Sequence, residues 1–111
     1  MYKLSEAEWS VLQTLWDSSP LLLGQITDRL KPVHQWSRNT VHTYLSRMER
    51  KGLVVIDRET EPHRYTAAVT REECARMERQ VLLDRVYGGA AGELIAAFLK
   101  DAPISAQERE R

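Results

Sequence analysis

The sequence predicts a mainly α-helical protein with a small β-hairpin, in which a winged helix-turn-helix domain is followed by C-terminal dimerisation helices. Three observations predict this fold class. An amphipathic helical segment begins after Ser37 and ends at Gly52, two strand patterns joined by a polar segment follow it, and a second apolar helical segment lies beyond them. At 111 residues and 42% hydrophobic content, the chain has room for one domain and a short appendage.

The first two helices are predicted from their ends and from their apolar spacing. Ser5 and Glu8 form a capping box, and the helix that follows it runs to about Asp17. Apolar residues recur in this helix at intervals of three and four. A second helix is predicted over residues 23–30, although Leu22 is a poor N-cap because its side chain has no acceptor.

The third helix carries the clearest start and stop signals in the chain. Ser37 is a good N-cap, and Gly52 supplies the left-handed residue that ends a helix. Between them, three apolar side chains fall on one stripe of the helix that must face a core: Val41, Leu45 and Met48.

The opposite face of the third helix has the composition of a DNA-reading surface. It lacks any carboxylate, whereas a merely solvated face usually mixes charges of both signs. Asn39 suits pairing with adenine, the arginines suit guanine or phosphate, and the threonine methyl groups suit thymine. For any single residue, simple solvent exposure remains an open alternative. The candidate DNA contacts on this helix are Arg38, Asn39, Thr40, His42, Thr43, Ser46, Arg47 and Arg50.

Two short strands follow the glycine that ends the third helix. The pattern predicts strands over residues 53–58 and 64–68, joined by the polar segment 59–63. Helix, glycine and hairpin in this order are typical of a winged helix, where the hairpin reaches the phosphates beside the groove that the helix occupies. A solvated helix beside an unrelated hairpin is the alternative. The candidate phosphate contacts in the wing are Arg58, His63 and Arg64.

Charge and composition limit the other function classes. The 16 Lys+Arg balance 16 Asp+Glu, so nucleic-acid binding has to come from local charge, such as the basic stretch 29–51, whose only acid is Glu49. Because Cys74 is the single cysteine, we predict no disulfide within the chain. The three histidines are scattered, so we predict no metal site. No catalytic pattern is present, so we predict no enzyme activity and no cofactor. Without an apolar run near ~18 residues, we expect a cytoplasmic protein with no direct membrane insertion.

An apolar arm follows the predicted wing. Thr70 and Glu73 form another capping box, which opens a helix to about Tyr87; glycines break it, and a short apolar helix ends near residues 101–103. A winged domain closes its own core, so this arm leaves a large exposed apolar patch unless it meets another chain, as in a symmetric dimer. The predicted dimerisation residues are Met77, Leu82, Leu83, Val86, Tyr87, Leu94, Ile95, Phe98 and Leu99.

Several ordered motifs together resemble one known family. They are Leu4-Ser5-Glu6-Ala7-Glu8-Trp9 with Leu15-Trp16, Trp36-Ser37 with Thr40-Val41 and Thr43, Arg47-Met48 with Lys51-Gly52-Leu53, and Leu83-Asp84-Arg85-Val86-Tyr87-Gly88-Gly89. In this set and order they are similar to the penicillinase-repressor family of winged-helix transcriptional regulators (BlaI/MecI/CopY type). The resemblance covers nearly the whole chain. It implies a dimeric repressor whose winged domain binds DNA. Repressors of this family are often released from DNA when a membrane-bound sensor system triggers their proteolysis.

Three departures limit what the resemblance carries over. Leu22 stands where family members tend to place a threonine cap. The family's cleavage site is similar to an Asn-Phe pair, whereas the candidate cleavage site here is Ala97-Phe98, so conventional cleavage is not implied. The copper-sensing branch carries a cysteine cluster near its C-terminus, and residues 107–111 contain no cysteine, which disfavours copper sensing.

These features predict a cytoplasmic homodimeric transcriptional repressor that binds a two-fold operator in double-stranded DNA. Residues 1–69 form the winged-helix DNA-binding domain, residues 70–103 the helical dimerisation region, and residues 104–111 a frayed tail. Release from DNA is predicted to follow loss of dimerisation, through a membrane-linked sensor protease or through a ligand. The alternative, from another class, is a winged-helix protein-interaction module that lacks sequence-specific DNA binding and meets an acidic protein partner.

Overall fold

The structure of the chain is a computed structural model that describes residues 4–101. Helices dominate and the strands form one small antiparallel sheet, so the predicted mainly α-helical class with a small β element is confirmed. The predicted frayed tail, residues 104–111, lies outside the described residues. None of the described helices is both long and apolar enough to cross a bilayer. The elements are α1 (Glu6–Asp17), β1 (Leu21–Leu22), α2 (Leu23–Leu30), α3 (Arg38–Arg50), β2 (Val54–Asp57), β3 (Arg64–Ala67), α4 (Arg71–Tyr87) and α5 (Ala91–Asp101).

The chain forms two compact units, residues 1–75 and residues 76–111. The first contains α1, α2, α3, the sheet and the first turn of α4, whereas the second contains the rest of α4 and α5. Cys74, in that first turn, is fully buried. The division between the units therefore lies inside α4.

The sheet contains a strand that the sequence analysis did not predict. Its strand order is β1-β3-β2, and both neighbouring pairs are antiparallel. In β1, Leu21 pairs with Tyr65 and Leu22 pairs with Arg64, so the predicted hairpin gains a third strand and β3 becomes central. A strand of two residues has no alternation to detect, and its partner comes much later in the chain.

The first two helices begin as their end residues predict. In α1, the Glu8 N–H donates to Ser5 Oγ at 3.1 Å and the Ser5 N–H donates to Glu8 Oε1 at 2.9 Å, which confirms the capping box. Leu22 offers α2 no side-chain acceptor, as expected. Gln25 partly compensates, because its Oε1 accepts the Leu22 N–H at 2.8 Å.

The core of the first unit joins the inward faces of its helices to the sheet. The predicted stripe of α3 is confirmed, because Val41, Leu45 and Met48 are fully buried. Burial of each such side chain is worth about 1.5–3 kcal/mol, so α3 is held firmly in one orientation with its polar face outward. The other fully buried side chains of this core are Val11, Leu12 and Leu15 of α1, Ile26 of α2, and Leu53, which comes directly before β2.

The elements after the sheet also begin and end as predicted. The Glu73 N–H donates to Thr70 Oγ1 at 3.0 Å, and the Thr70 N–H donates to Glu73 Oε1 at 3.3 Å. α4 ends before Gly88 and Gly89, whose φ angles of 55° and 88° favour glycine. In the second unit, every described residue is at least partly exposed.

Candidate nucleic-acid interface

The outward face of α3 brings the candidate residues of that helix together on one surface. The helix begins after Ser37, whose Oγ accepts the Thr40 N–H at 3.2 Å, and it ends before Gly52, which has a φ of 79°. Thr40 and Ser46 are half-buried at the edge of this face. The other candidates on this face are all exposed: Arg38, Asn39, His42, Thr43, Arg47 and Arg50.

Two candidate hydroxyl groups on α3 already make hydrogen bonds within the protein. Thr40 Oγ1 accepts from Ser37 Oγ at 3.2 Å, so this side chain takes part in the cap at the start of the helix. Thr43 Oγ1 donates to the Asn39 carbonyl oxygen at 2.9 Å, which fixes the hydroxyl but leaves its lone pairs and the methyl group for other contacts. The Asn39 side-chain amide makes no hydrogen bond with any residue from 4 to 101, so its donors and acceptor face solvent.

The only carboxylate of α3 is neutralised by the wing. Arg58 Nη1 donates to Glu49 Oε2 at 2.6 Å and Arg58 Nη2 donates to Glu49 Oε1 at 2.9 Å, a bidentate pair. The hydrogen bonds from Arg58 lower the pKa of the Glu49 carboxyl, and the same bonds raise the pKa of Arg58. The cationic face of α3 therefore presents no uncompensated acid.

This ion pair changes what is expected of Arg58 as a phosphate ligand. Its guanidinium is directed at α3, so any phosphate contact has to share that group with Glu49. Arg64 is exposed on β3 and His63 is half-buried just before it. The contact of each wing residue with DNA stays a prediction. No local sequence pattern indicates the pairing, because Glu49 and Arg58 belong to different elements.

A second ion pair ties the end of α3 to α1. Lys51 Nζ lies 2.6 Å from Glu8 Oε2, and Glu8 is 6% exposed. Burial raises the pKa of the Glu8 carboxyl, but the hydrogen bonds from Lys51 and the Ser5 backbone outweigh it, so the pKa lies below its ordinary value. Lys51 is itself partly exposed, but its charge is paired with a buried carboxylate, although the sequence counts it in the basic stretch.

Replacing Lys51 by methionine is expected to lower the free energy of unfolding at pH 7 by about 1–2 kcal/mol, because Glu8 then stays buried without its charged donor. The lowered pKa of Glu8 means that the pair stabilises the fold above the ordinary pKa of 4.5, and that this contribution is lost as the pH falls through the folded-state pKa. Urea unfolding at pH 7 and at about pH 3 should therefore show the difference between wild type and Lys51→Met shrinking in acid.

Lys31→Met is the matched control for this prediction. Lys31 lies 3.5 Å from Asp28 in a pair whose side chains are both mostly exposed, so its loss should cost about 0.5 kcal/mol or less. A Lys51→Met protein as stable as the Lys31→Met protein at pH 7 would contradict the structural role assigned to Lys51.

Aromatic rings support the start of α3. The rings of His34 and Trp36 stack at 4.0 Å between centroids, and Trp36 lies 4.8 Å from the ring of Tyr44 on α3. His34 Nε2 is 3.0 Å from Ser10 Oγ of α1. The stack therefore connects α1, the segment before α3, and α3 itself, and it was not predicted because no local pattern shows which rings meet and Ser10 is 24 residues from His34.

The predicted dimerisation residues divide into two groups by exposure. Val86, Ile95, Phe98 and Leu99 are exposed by 55–58%, which is unusual for large apolar side chains. Ala97 of the candidate cleavage site lies beside the exposed Phe98. The remaining members of the predicted set are Met77, Leu82, Leu83, Tyr87 and Leu94, which are less exposed than these four.

The histidines stand on separate elements. His34 precedes α3, His42 is on α3, and His63 is in the wing. Among residues 4–101, no three His, Cys, Asp or Glu side chains form a group able to hold a metal ion.

Comparison with known proteins gives one consistent family. A family model described as "Penicillinase repressor" matches residues 4–111. The chain is 23% identical over 109 residues to the methicillin resistance regulatory protein MecI of Staphylococcus aureus, an alignment that covers 98% of this chain and 89% of that protein. It is 24% identical over 106 residues to the penicillinase repressor of Bacillus licheniformis, covering 96% and 83% of the two chains.

A similar fold occurs in a solved structure. It is described as the solution structure of the monomeric form of Bacillus licheniformis BlaI in complex with the blaP half-operator. The superposition has a TM-score of 0.56 at 25% sequence identity, and it covers 64% of this chain and 87% of that chain.

Proposed function

This chain belongs to the penicillinase repressor family, and we propose that it is a transcriptional repressor that binds operator DNA through α3 and the wing. The observation that carries the proposal is the surface of α3. Its outward face consists of amide, hydroxyl, imidazole and guanidinium groups, and Arg58 neutralises the single carboxylate of the helix. Such a face complements base edges and phosphates, which offer mainly acceptors and negative charge.

The roles of the residues on this surface follow from chemistry and position. Asn39 and Thr43, in the first half of α3, are proposed to contact base edges, because the N-terminal half of a recognition helix lies deepest in the major groove. Arg47 and Arg50, nearer the other end, are proposed to contact phosphates. The B. licheniformis BlaI structure, which is described as a complex with a half-operator, supports this use of the shared fold.

The repressor is proposed to act as a homodimer on a two-fold operator in double-stranded DNA. Four exposed apolar side chains support this: Val86, Ile95, Phe98 and Leu99. Covering such side chains with a second copy of the chain removes apolar surface from water, which lowers the free energy. We further propose that the protein acts in the cytoplasm, where its operator lies.

Release is proposed to follow loss of dimerisation, through a membrane-linked sensor protease or a ligand that separates the arms. A cut between Ala97 and Phe98 removes Phe98 and Leu99, two of the exposed apolar side chains. Ala97 stands where the family's cleavage site has asparagine. We therefore expect release either by a protease with a different sequence preference or by a ligand that separates the arms.

Truncation after Ala97 is expected to mimic the released state, with a mainly monomeric protein and an operator affinity about 10²–10⁴-fold lower, because each half-site is then held alone. Sedimentation and a binding titration of the truncated chain measure both quantities. Truncation after Asp101, which keeps α5 whole, is the control and should leave both unchanged. A chain ending at Ala97 that stays dimeric with full operator affinity would rule out both release routes.

The proposed function is tested by incubating the full-length protein with a random pool of duplex DNA and sequencing the fragments that it retains. A repressor should enrich one sequence with two related half-sites. Retention of no DNA, or of all sequences equally, would favour the protein-interaction module, in which the cationic face of α3 meets an acidic protein partner.

A further inference from the structure

The side chain of Arg38 lies across the first turn of α2. A Cβ built on Gly24 would be 2.6 Å from Arg38 Nη2 and 3.2 Å from Arg38 Cζ. Real Cβ atoms essentially never approach other atoms to 2.6 Å, so a side chain at position 24 would displace the guanidinium, and this displacement costs little because Nη2 is the far end of a flexible side chain. Within the described part of the chain, Arg38 makes no hydrogen bond or ion pair, so no carboxylate accounts for this position.

The place where Arg38 lies is a junction between three elements. Gly24, Gln25 and Asp28 of α2 line a groove together with Arg38 of α3 and Pro62 of the wing. Asp28 pairs with Lys31 at 3.5 Å instead of with Arg38. An anion entering this groove would be attracted by Arg38 and by the positive end of the α2 dipole, and it would be repelled by Asp28, whose charge Lys31 partly offsets.

Glycine at position 24 is not required by the backbone. Gly24 is the second residue of α2 and has no left-handed φ, so any residue could adopt its conformation. Alanine would favour the helix more than glycine does. The consequence of having glycine here is the open space, and Arg38 fills it.

We propose that Gly24 is a positioning residue for operator binding, because its missing side chain lets the Arg38 guanidinium lie at the junction of α2, α3 and the wing, where it contacts a DNA phosphate. The inference rests on the proposed function, since it assigns a role within the same DNA-binding surface. It predicts that position 24 acts on DNA affinity only through Arg38.

The test is a double-mutant cycle on the operator that the full-length wild type enriches, with affinity measured over a range of salt concentrations. Gly24→Ala, Gly24→Gln and Arg38→Ala are each expected to weaken binding about 3- to 10-fold. Each should also flatten the plot of log affinity against log salt concentration, by about 0.9 in slope for each phosphate that the protein no longer neutralises. The double variant Gly24→Ala, Arg38→Ala should bind no more weakly than Arg38→Ala alone. Gly24→Ala should melt at the wild-type temperature or above, because alanine is the better helix former.

Gly92→Ala is the matched control, because Gly92 is the second residue of α5 and a Cβ there would meet nothing within 4 Å. It should keep wild-type affinity. Wild-type affinity in both Gly24 variants or in Arg38→Ala, or effects that add in the double variant, would overturn the inference. Failure of the wild type itself to enrich any DNA would instead remove the proposed function, so the two failures are distinguishable.

Discussion

Replacing Leu83 and Phe98 together by aspartate is expected to give folded monomers whose affinity for the operator is about 10²–10⁴-fold lower. In a dimer, binding at the first half-site holds the second recognition helix close to its own half-site, so the second contact forms at high effective concentration. Charges at these two positions make a shared apolar interface unfavourable, because an aspartate buried against a second copy would be desolvated without a partner. Sedimentation measures the oligomeric state, and titration with the enriched operator measures the affinity.

Ala96→Asp is the matched control for the arm variant. Ala96 is exposed on α5 and lies away from the helix face that carries Leu94, Ile95, Phe98 and Leu99. It places the same charge on the same helix and should leave the dimer and its affinity intact. A wild-type protein that sediments as a monomer at micromolar concentration would refute this account of the arm.

Replacing Asn39 and Thr43 together by alanine is expected to change which operator sequences the protein prefers. Each interaction with a base edge is worth about 1–3 kcal/mol of discrimination, so removing two of them can reduce selectivity by several orders of magnitude. Neither side chain is needed for the core, since both are exposed, and the fold should remain stable. Repeating the selection from random DNA with the variant measures the change.

Arg47→Ala is the informative comparison, because removing a phosphate ligand weakens binding to all sequences by a similar factor. Arg47 is on the same helix, so the two kinds of variant differ in the chemistry removed and not in the element. If the Asn39, Thr43 double variant selected the wild-type sequence with wild-type affinity, the outward face of α3 would not be the reading surface.

The elements that could be predicted from the sequence are those whose signals are local. The Ser5–Glu8 capping box, the Ser37 cap and the left-handed Gly52 each act within a few residues, so they could be recognised before any tertiary structure was known. The same holds for the stripe that α3 buries, because its period belongs to the helix itself.

The features that sequence analysis missed depend on residues that only the fold brings together. β1 exists because β3 offers it an edge, not because two leucines form a pattern. Arg58 was assigned to phosphate from its charge alone, whereas the structure directs it at Glu49. The close approach of Arg38 to Gly24 likewise involves residues on two different helices.

The ion pair of Lys51 with the buried Glu8 likewise depends on residues far apart in the chain. Glu8 had an evident role in a cap, and its second oxygen is taken by a lysine at the far end of α3. Charge counting along the chain cannot separate an unpaired lysine from one whose charge is paired with a buried carboxylate. The local excess of positive charge on α3 nevertheless survives, since none of Arg38, Arg47 and Arg50 is buried.

Whether the face of α3 reads DNA sequence can be decided by titrating the full-length protein with its enriched operator and with a scrambled duplex of the same composition over a range of salt concentrations. We expect a preference for the operator of at least about 10³-fold. Both affinities should fall steeply with salt, with the slope of log K against log salt steeper by about 0.9 for each phosphate contact. Equal affinity for the two duplexes, or affinity that does not depend on salt, would contradict this expectation.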